Sequence, residues 1–69
     1  MHAVHLIGIG GIAMSALARW FMSQNWAVSG SDITGSPLTE ELQKEGAEVK
    51  IGPHKASSLP QGVELAIRS

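Results

Sequence analysis

The sequence predicts an α/β domain built on an open parallel sheet with flanking helices, the strands lying in the order 3-2-1-4. Three observations carry this. Short apolar runs alternate with segments of helical period, in the order β-α-β-α-β-(turn)-β. The links between them are short. A cluster of glycines, Gly8-Ile9-Gly10-Gly11, stands between the first apolar run and the first helical one.

The first strand is read over Ala3 to Ile7, apolar on both faces as a central parallel strand should be. From Gly11 to about Gln24 the pattern is helical. Its polar residues Ser15, Arg19 and Ser23 recur every fourth position as one narrow stripe, and most of the rest is apolar. A surface helix needs an apolar face of only about 100°. The excess reads either as a tightly covered helix or as a flank that meets a further domain or partner.

Asn25 is a stop for that helix, and Trp26 to Ser31 gives a second strand ending at Asp32. Ser36-Pro37 is an N-cap followed by proline at the first helical position. The second helix runs to about Glu45, with Leu38 and Leu42 inward, Gly46 as its C-cap, and Glu40 and Lys44 spaced to support it. Ala47, Val49 and Ile51 alternate with charged residues, as in a strand nearer the sheet edge. Gly52-Pro53-His54 ends it, Lys55 to Leu59 is read as one helical turn, and Val63 to Ile67 is the fourth strand.

Composition narrows the function classes. With 69 residues there is room for one small domain, of marginal stability. The sequence has no cysteine, hence no disulfide and no cysteine metal site; this suits the cytoplasm. A formal net charge of −1 points to no nucleic-acid partner, and no apolar run approaches the ~18 residues of a membrane span. The sequence stops at Ile67-Arg68-Ser69, just after a strand-like run. That reads as a fragment, truncated after strand 4.

Strand, glycine turn and helix in that order gather backbone N–H groups at the positive end of a helix dipole, where an anion is held, most often a phosphate or diphosphate. A side chain at Gly10 or Gly11 would keep a ligand from the backbone. The Gly8-x-Gly10-x-x-Ala13 spacing departs from the dinucleotide fingerprint only in alanine at the third position, which is tolerated there. About twenty residues on, Asp32 ends the second strand and would face the glycine loop. Two readings of Asp32 stay open: a carboxylate accepting hydrogen bonds from a ribose or base, or a cap for the loop after the strand. His5, inside the first strand, reads as a histidine satisfied by its surroundings. His2 carries no signal. Ser15, Ser29, Ser31 and Ser36 form no nucleophile–base pair and are better explained by turns, caps and phosphate contacts.

Gly8-Ile-Gly-Gly-Ile-Ala-Met-Ser15, Val28-Ser-Gly-Ser-Asp32 and Ser36-Pro-Leu-Thr-Glu40 together resemble the N-terminal domain of the Mur ligases. The resemblance spans the whole chain, and the Gly-Gly-x-x-Met-Ser form fits the branch that joins alanine to the lactyl carboxylate of UDP-N-acetylmuramate. Family members usually carry glycine where Ala13 stands. The resemblance implies a Rossmann-like domain over residues 1–69 that holds the UDP part of the substrate in peptidoglycan synthesis. Gly8, Gly10, Gly11, Ile12, Met14 and Ser15 would line the phosphates, and Asp32 would contact the uridine. His54 falls near a family histidine on the same ligand-facing edge.

Ligation through an acyl phosphate needs a Gly-x-x-x-x-Gly-Lys-Thr/Ser loop and Mg²⁺ ligands. The sequence has no such loop. ATP and Mg²⁺ are therefore expected of the full-length ligase, and this chain is expected to bind without catalysing, with no catalytic residue and no metal site. Its expected partners are UDP-N-acetylmuramate and the remaining ligase domains, with self-association through an exposed sheet edge. The alternative is the nucleotide-binding half of an NAD-dependent oxidoreductase, in which the same loop and Asp32 would hold NAD.

Overall fold

The computed structural model describes residues 2–52, 60 and 62–68. Its elements are β1 (Ala3–Ile7), α1 (Ile12–Ser23), β2 (Ala27–Asp32), α2 (Pro37–Glu45), β3 (Glu48–Ile51) and β4 (Leu65–Arg68). The four strands form one parallel sheet in the order β3-β2-β1-β4. This is the expected architecture. The connections β1-α1-β2 and β2-α2-β3 step the same way across the sheet, so right-handed crossovers lay both helices on one face.

That face is the core. Val4, Leu6, Ile9, Met14, Ala18, Phe21, Val28, Leu42 and Ala47 form one buried cluster, with Leu17, Met22, Trp26, Val49 and Ile67 packed against it. Full burial of an aliphatic side chain such as Leu6 contributes about 1.5–3 kcal/mol. On the opposite face of β1 and β2, His5 is buried with its Nδ1 2.9 Å from Ser29 Oγ, as expected of a satisfied histidine.

The helices end where local chemistry ends them. After α1, Asn25 takes φ 64°, left-handed, and the Trp26 N–H closes back onto the Phe21 carbonyl. This closure delays the second strand by one residue relative to the sequence reading. α2 has Ser36 as N-cap and Pro37 at its start, and Gly46, at φ 117°, takes the left-handed C-cap. The cap is a reciprocal box: Ser36 Oγ accepts the Thr39 N–H, and Thr39 Oγ1 accepts the Ser36 N–H at 2.9 Å. Threonine here does what glutamate or glutamine usually does at that position.

The structure shows what surrounds the polar stripe of α1 and corrects the pairing expected on α2. The Ser15–Arg19 stripe of α1 does not face solvent: Ser15 is buried, and Arg19 reaches across to Glu41 and Glu45 of α2. The exposed side carries Ile12, Ala13, Ala16 and Trp20 instead, so apolar area is what α1 shows to water. Nor do Glu40 and Lys44 form an ion pair among the described residues; α2 draws its charge pairing from Arg19. The hydrogen bond and charge of Glu45, then those of Glu41, raise the Arg19 pKa above its ordinary value. The third strand also turns less of itself inward than its alternation suggests, since Ile51 is exposed. The fourth is displaced toward the C-terminus, over Leu65 to Arg68.

At the far end of the sheet from the glycine cluster, His2 stacks on Trp26 with ring centroids 4.9 Å apart and contacts the Glu64 carboxylate at 3.0 Å. Phe21 packs edge-on to Trp26. A residue without any sequence signal thus joins the start of β1 to the approach to β4.

Candidate functional site

The glycine loop is positioned by β1 and β2. Gly8 takes φ 83°, a left-handed turn that L side chains rarely adopt, and swings the chain off the end of β1. The Ser31 carbonyl accepts the N–H groups of Gly8 and Ile9 at 2.8 and 3.1 Å, and Gly11 donates to the Gly8 carbonyl at 3.0 Å. Ile9 then drops its side chain fully into the core over Gly30. A Cβ on Gly30 would stand 2.5 Å from Ile9 Cδ1 and 2.8 Å from the Leu6 carbonyl oxygen. Gly30 is therefore a requirement of the loop that the motif does not name. Its sequence signal is a glycine inside a strand.

Asp32 does face the loop. Its Oδ2 accepts the Gly10 N–H at 2.8 Å, and Oδ1 accepts the Thr34 N–H at 3.4 Å. Gly10 is glycine for that contact: an added Cβ would lie 2.7 Å from Asp32 Oδ2 and 3.0 Å from the methyl of Thr39, itself buried at the start of α2. At Gly11 the same atom would meet only the Gly8 carbonyl oxygen, at 3.4 Å. Close approach of protein, rather than of ligand alone, accounts for the first of these two glycines.

With the Gly10 and Gly11 N–H groups engaged by Asp32 and Gly8, the donors at the helix start are the amides that follow directly. Gly11 is the N-cap of α1 and provides no side-chain cap. The first N–H groups of a helix have no intrahelical partner, so those of Ile12, Ala13 and Met14 are the ones left for an anion. The Ser15 N–H is already on the Gly11 carbonyl at 2.8 Å, and its hydroxyl donates to the Ile12 carbonyl at 2.9 Å. Met14 turns its side chain into the core, while that of Ile12 stands 84% exposed beside the loop.

The register across the sheet places Lys50, Ser31, Ile7 and Arg68 in one row at the strand ends, next to Gly8. Ser31 is buried, and its hydroxyl has no hydrogen-bond partner among the described residues. Lys50 and Arg68 are exposed, and they bring positive charge to the end of the sheet where the loop lies. Parallel α/β sheets bind ligands at this end, where the strand order reverses, here between β1 and β4. His54 lies outside the described residues. A groove lined by Met22, Trp26 and Glu45 sits at the opposite end and belongs to no part of this constellation. Among the described residues no cluster of histidine or acidic side chains could hold a metal ion, and no helix is long and apolar enough to cross a membrane.

Comparison with known proteins fits this architecture. The family model described as Mur ligase family, catalytic domain, matches residues 3–68. UDP-N-acetylmuramate–L-alanine ligase of Campylobacter jejuni (strain 81-176) is 49% identical over 59 residues, 86% of this chain and 14% of its own. The Cytophaga hutchinsonii protein of the same name is 59% identical over 49 residues, covering 71% of this chain and 10% of its own. The crystal structure of the Thermotoga maritima UDP-N-acetylmuramate-alanine ligase MurC superposes with a TM-score of 0.86 at 35% identity, over 99% of this chain and 15% of that one. The chain thus spans about one-seventh of such relatives, and it belongs to the Mur ligase family.

Proposed function

We propose that this chain is the N-terminal, UDP-sugar-binding domain of a ligase that joins L-alanine to UDP-N-acetylmuramate in cytoplasmic peptidoglycan precursor synthesis. The observation that carries it is the uncapped start of α1 beside a glycine loop braced by Asp32. The names of its relatives supply the substrate. The diphosphate lies on the N–H groups of Ile12, Ala13 and Met14, with Gly8, Gly10 and Gly11 shaping the backbone and Ser15 holding the first turn closed. Asp32 has carboxylate lone pairs left for a uridine hydroxyl or N–H, and the family resemblance adds His54 to the residues assigned to this ligand.

ATP and Mg²⁺ are assigned to further domains of such a ligase, whose chemistry needs a phosphate-binding lysine loop that this sequence does not contain. Calorimetric titration of the chain with UDP-N-acetylmuramate tests the reading. Saturable binding is expected, with no turnover when ATP, Mg²⁺ and alanine are added. Absence of binding at millimolar ligand overturns it.

A further inference from the structure

We infer that Asp32 makes the glycine-loop site select a diphosphate esterified at both ends over one with a free terminal phosphate. The inference rests on the reading of this site as a UDP-sugar site and concerns its charge preference. A helix N-terminus presents the equivalent of roughly half a positive charge. Asp32 sets a full negative charge against the same loop, its Oδ2 fixed 2.8 Å from the Gly10 nitrogen. Ile12 lies two Cα–Cα steps beyond Gly10, a path of about 7.6 Å, so the carboxylate lies within a Debye length of the donors at the helix start.

Near the loop the balance is therefore negative. The ligand is held by directed N–H bonds, and each further negative charge on it is opposed. Lys50 and Arg68 act in the other direction from the sheet end, but both are exposed and screened by salt. Asp32 is only partly exposed, and its carboxylate is held by the Gly10 and Thr34 N–H groups.

A diphosphate joined to a sugar carries one negative charge on each phosphorus. A nucleoside diphosphate ends in a monoester phosphate, whose second ionisation near pH 6 adds another. The site then tells the substrate from a free nucleotide without a contact to the sugar.

The test compares UDP with UDP-N-acetylglucosamine, which share the uridine and both phosphates, on the wild type and on Asp32→Asn. The asparagine oxygen can still accept the Gly10 N–H, so the brace stays while the charge goes. At pH 8 the ratio of the UDP Kd to the UDP-sugar Kd should fall about three- to tenfold in the variant, as expected for one charge pair in a partly screened site. An unchanged or larger ratio, with both ligands bound, overturns the inference and leaves the UDP-sugar reading standing. Failure of the wild type to bind either ligand overturns that reading and the inference with it.

A second measurement needs no variant. For the wild type, UDP should gain on UDP-N-acetylglucosamine between pH 8 and pH 6, as its terminal phosphate takes up a proton. A site governed by the helix dipole and the two basic residues would make UDP lose ground instead. That result contradicts the proposal.

Discussion

The Gly10 N–H donates to Asp32 Oδ2 at 2.8 Å, across 22 residues of sequence. This one bond ties the phosphate-type loop to the end of β2, and it carries both readings that the sequence leaves open for Asp32. The carboxylate is a structural acceptor, and it stands at the loop where a nucleotide would lie. Asp32→Ala should therefore lower stability by about 1.5–3 kcal/mol, the scale of a hydrogen bond to a charged group, and weaken UDP-sugar binding as well. Urea unfolding and calorimetry on the same variant check the pair. Lost affinity at unchanged stability would show that the bond to Gly10 contributes nothing to the fold.

Gly10 and Gly11 should respond differently to alanine. At Gly10 the new methyl meets Asp32 at 2.7 Å and Thr39 at 3.0 Å, whereas at Gly11 the nearest atom is 3.4 Å away. Overpacking of this kind costs about 1–3 kcal/mol, so Gly10→Ala should unfold at clearly lower urea and Gly11→Ala close to wild type. Equal midpoints would contradict the geometry.

Gly30→Ala should be the more damaging glycine change. Part of its clash is with the Leu6 carbonyl oxygen, 2.8 Å from the added Cβ, and backbone cannot step aside as a side chain can. A loss of about 3 kcal/mol or more is expected, with Ile9 displaced from the core. Thermal melting and the Ile9 methyl resonances read it out, and a variant melting within a degree or two of wild type would contradict it.

The two helices and the caps of the second were legible because they rest on local chemistry: apolar period, Ser36-Pro37, Gly46. The order of the strands was legible from the alternation of strands and helices, because the handedness of the crossovers leaves few arrangements. The glycine loop and its facing acid were legible as a motif. What the motif hides is which amides remain available, because that depends on a pairing between Gly10 and Asp32 that only the closed sheet creates. The surroundings of the polar stripe on α1 are not legible for the same reason: Ser15 satisfies its hydroxyl on the Ile12 carbonyl and Arg19 finds acids on α2. Ile12 and Trp20 are left in water.

That exposed apolar side bears on association. Trp20 and Ile12 on α1, and Leu65 on the outer strand β4, are all large side chains in contact with solvent. Unpaired strand edges recruit other strands. Self-association at millimolar concentration is expected, and sedimentation should show it weakening in Trp20→Glu if the helix side carries it. A clean monomer at that concentration would contradict the expectation.

In the proposed site the diphosphate of a UDP-sugar sits on the first turn of α1. Amide chemical-shift titration tests it most directly, with UDP-N-acetylmuramate and NAD added separately to the labelled chain. The UDP-sugar should move the Ile12, Ala13 and Met14 amides most, with Gly10 and Asp32 following. Gly10→Val should abolish the response, and NAD should need the higher concentration. Larger shifts around Met22 and Trp26, or a response of the first-turn amides to NAD at lower concentration than to the UDP-sugar, would contradict it.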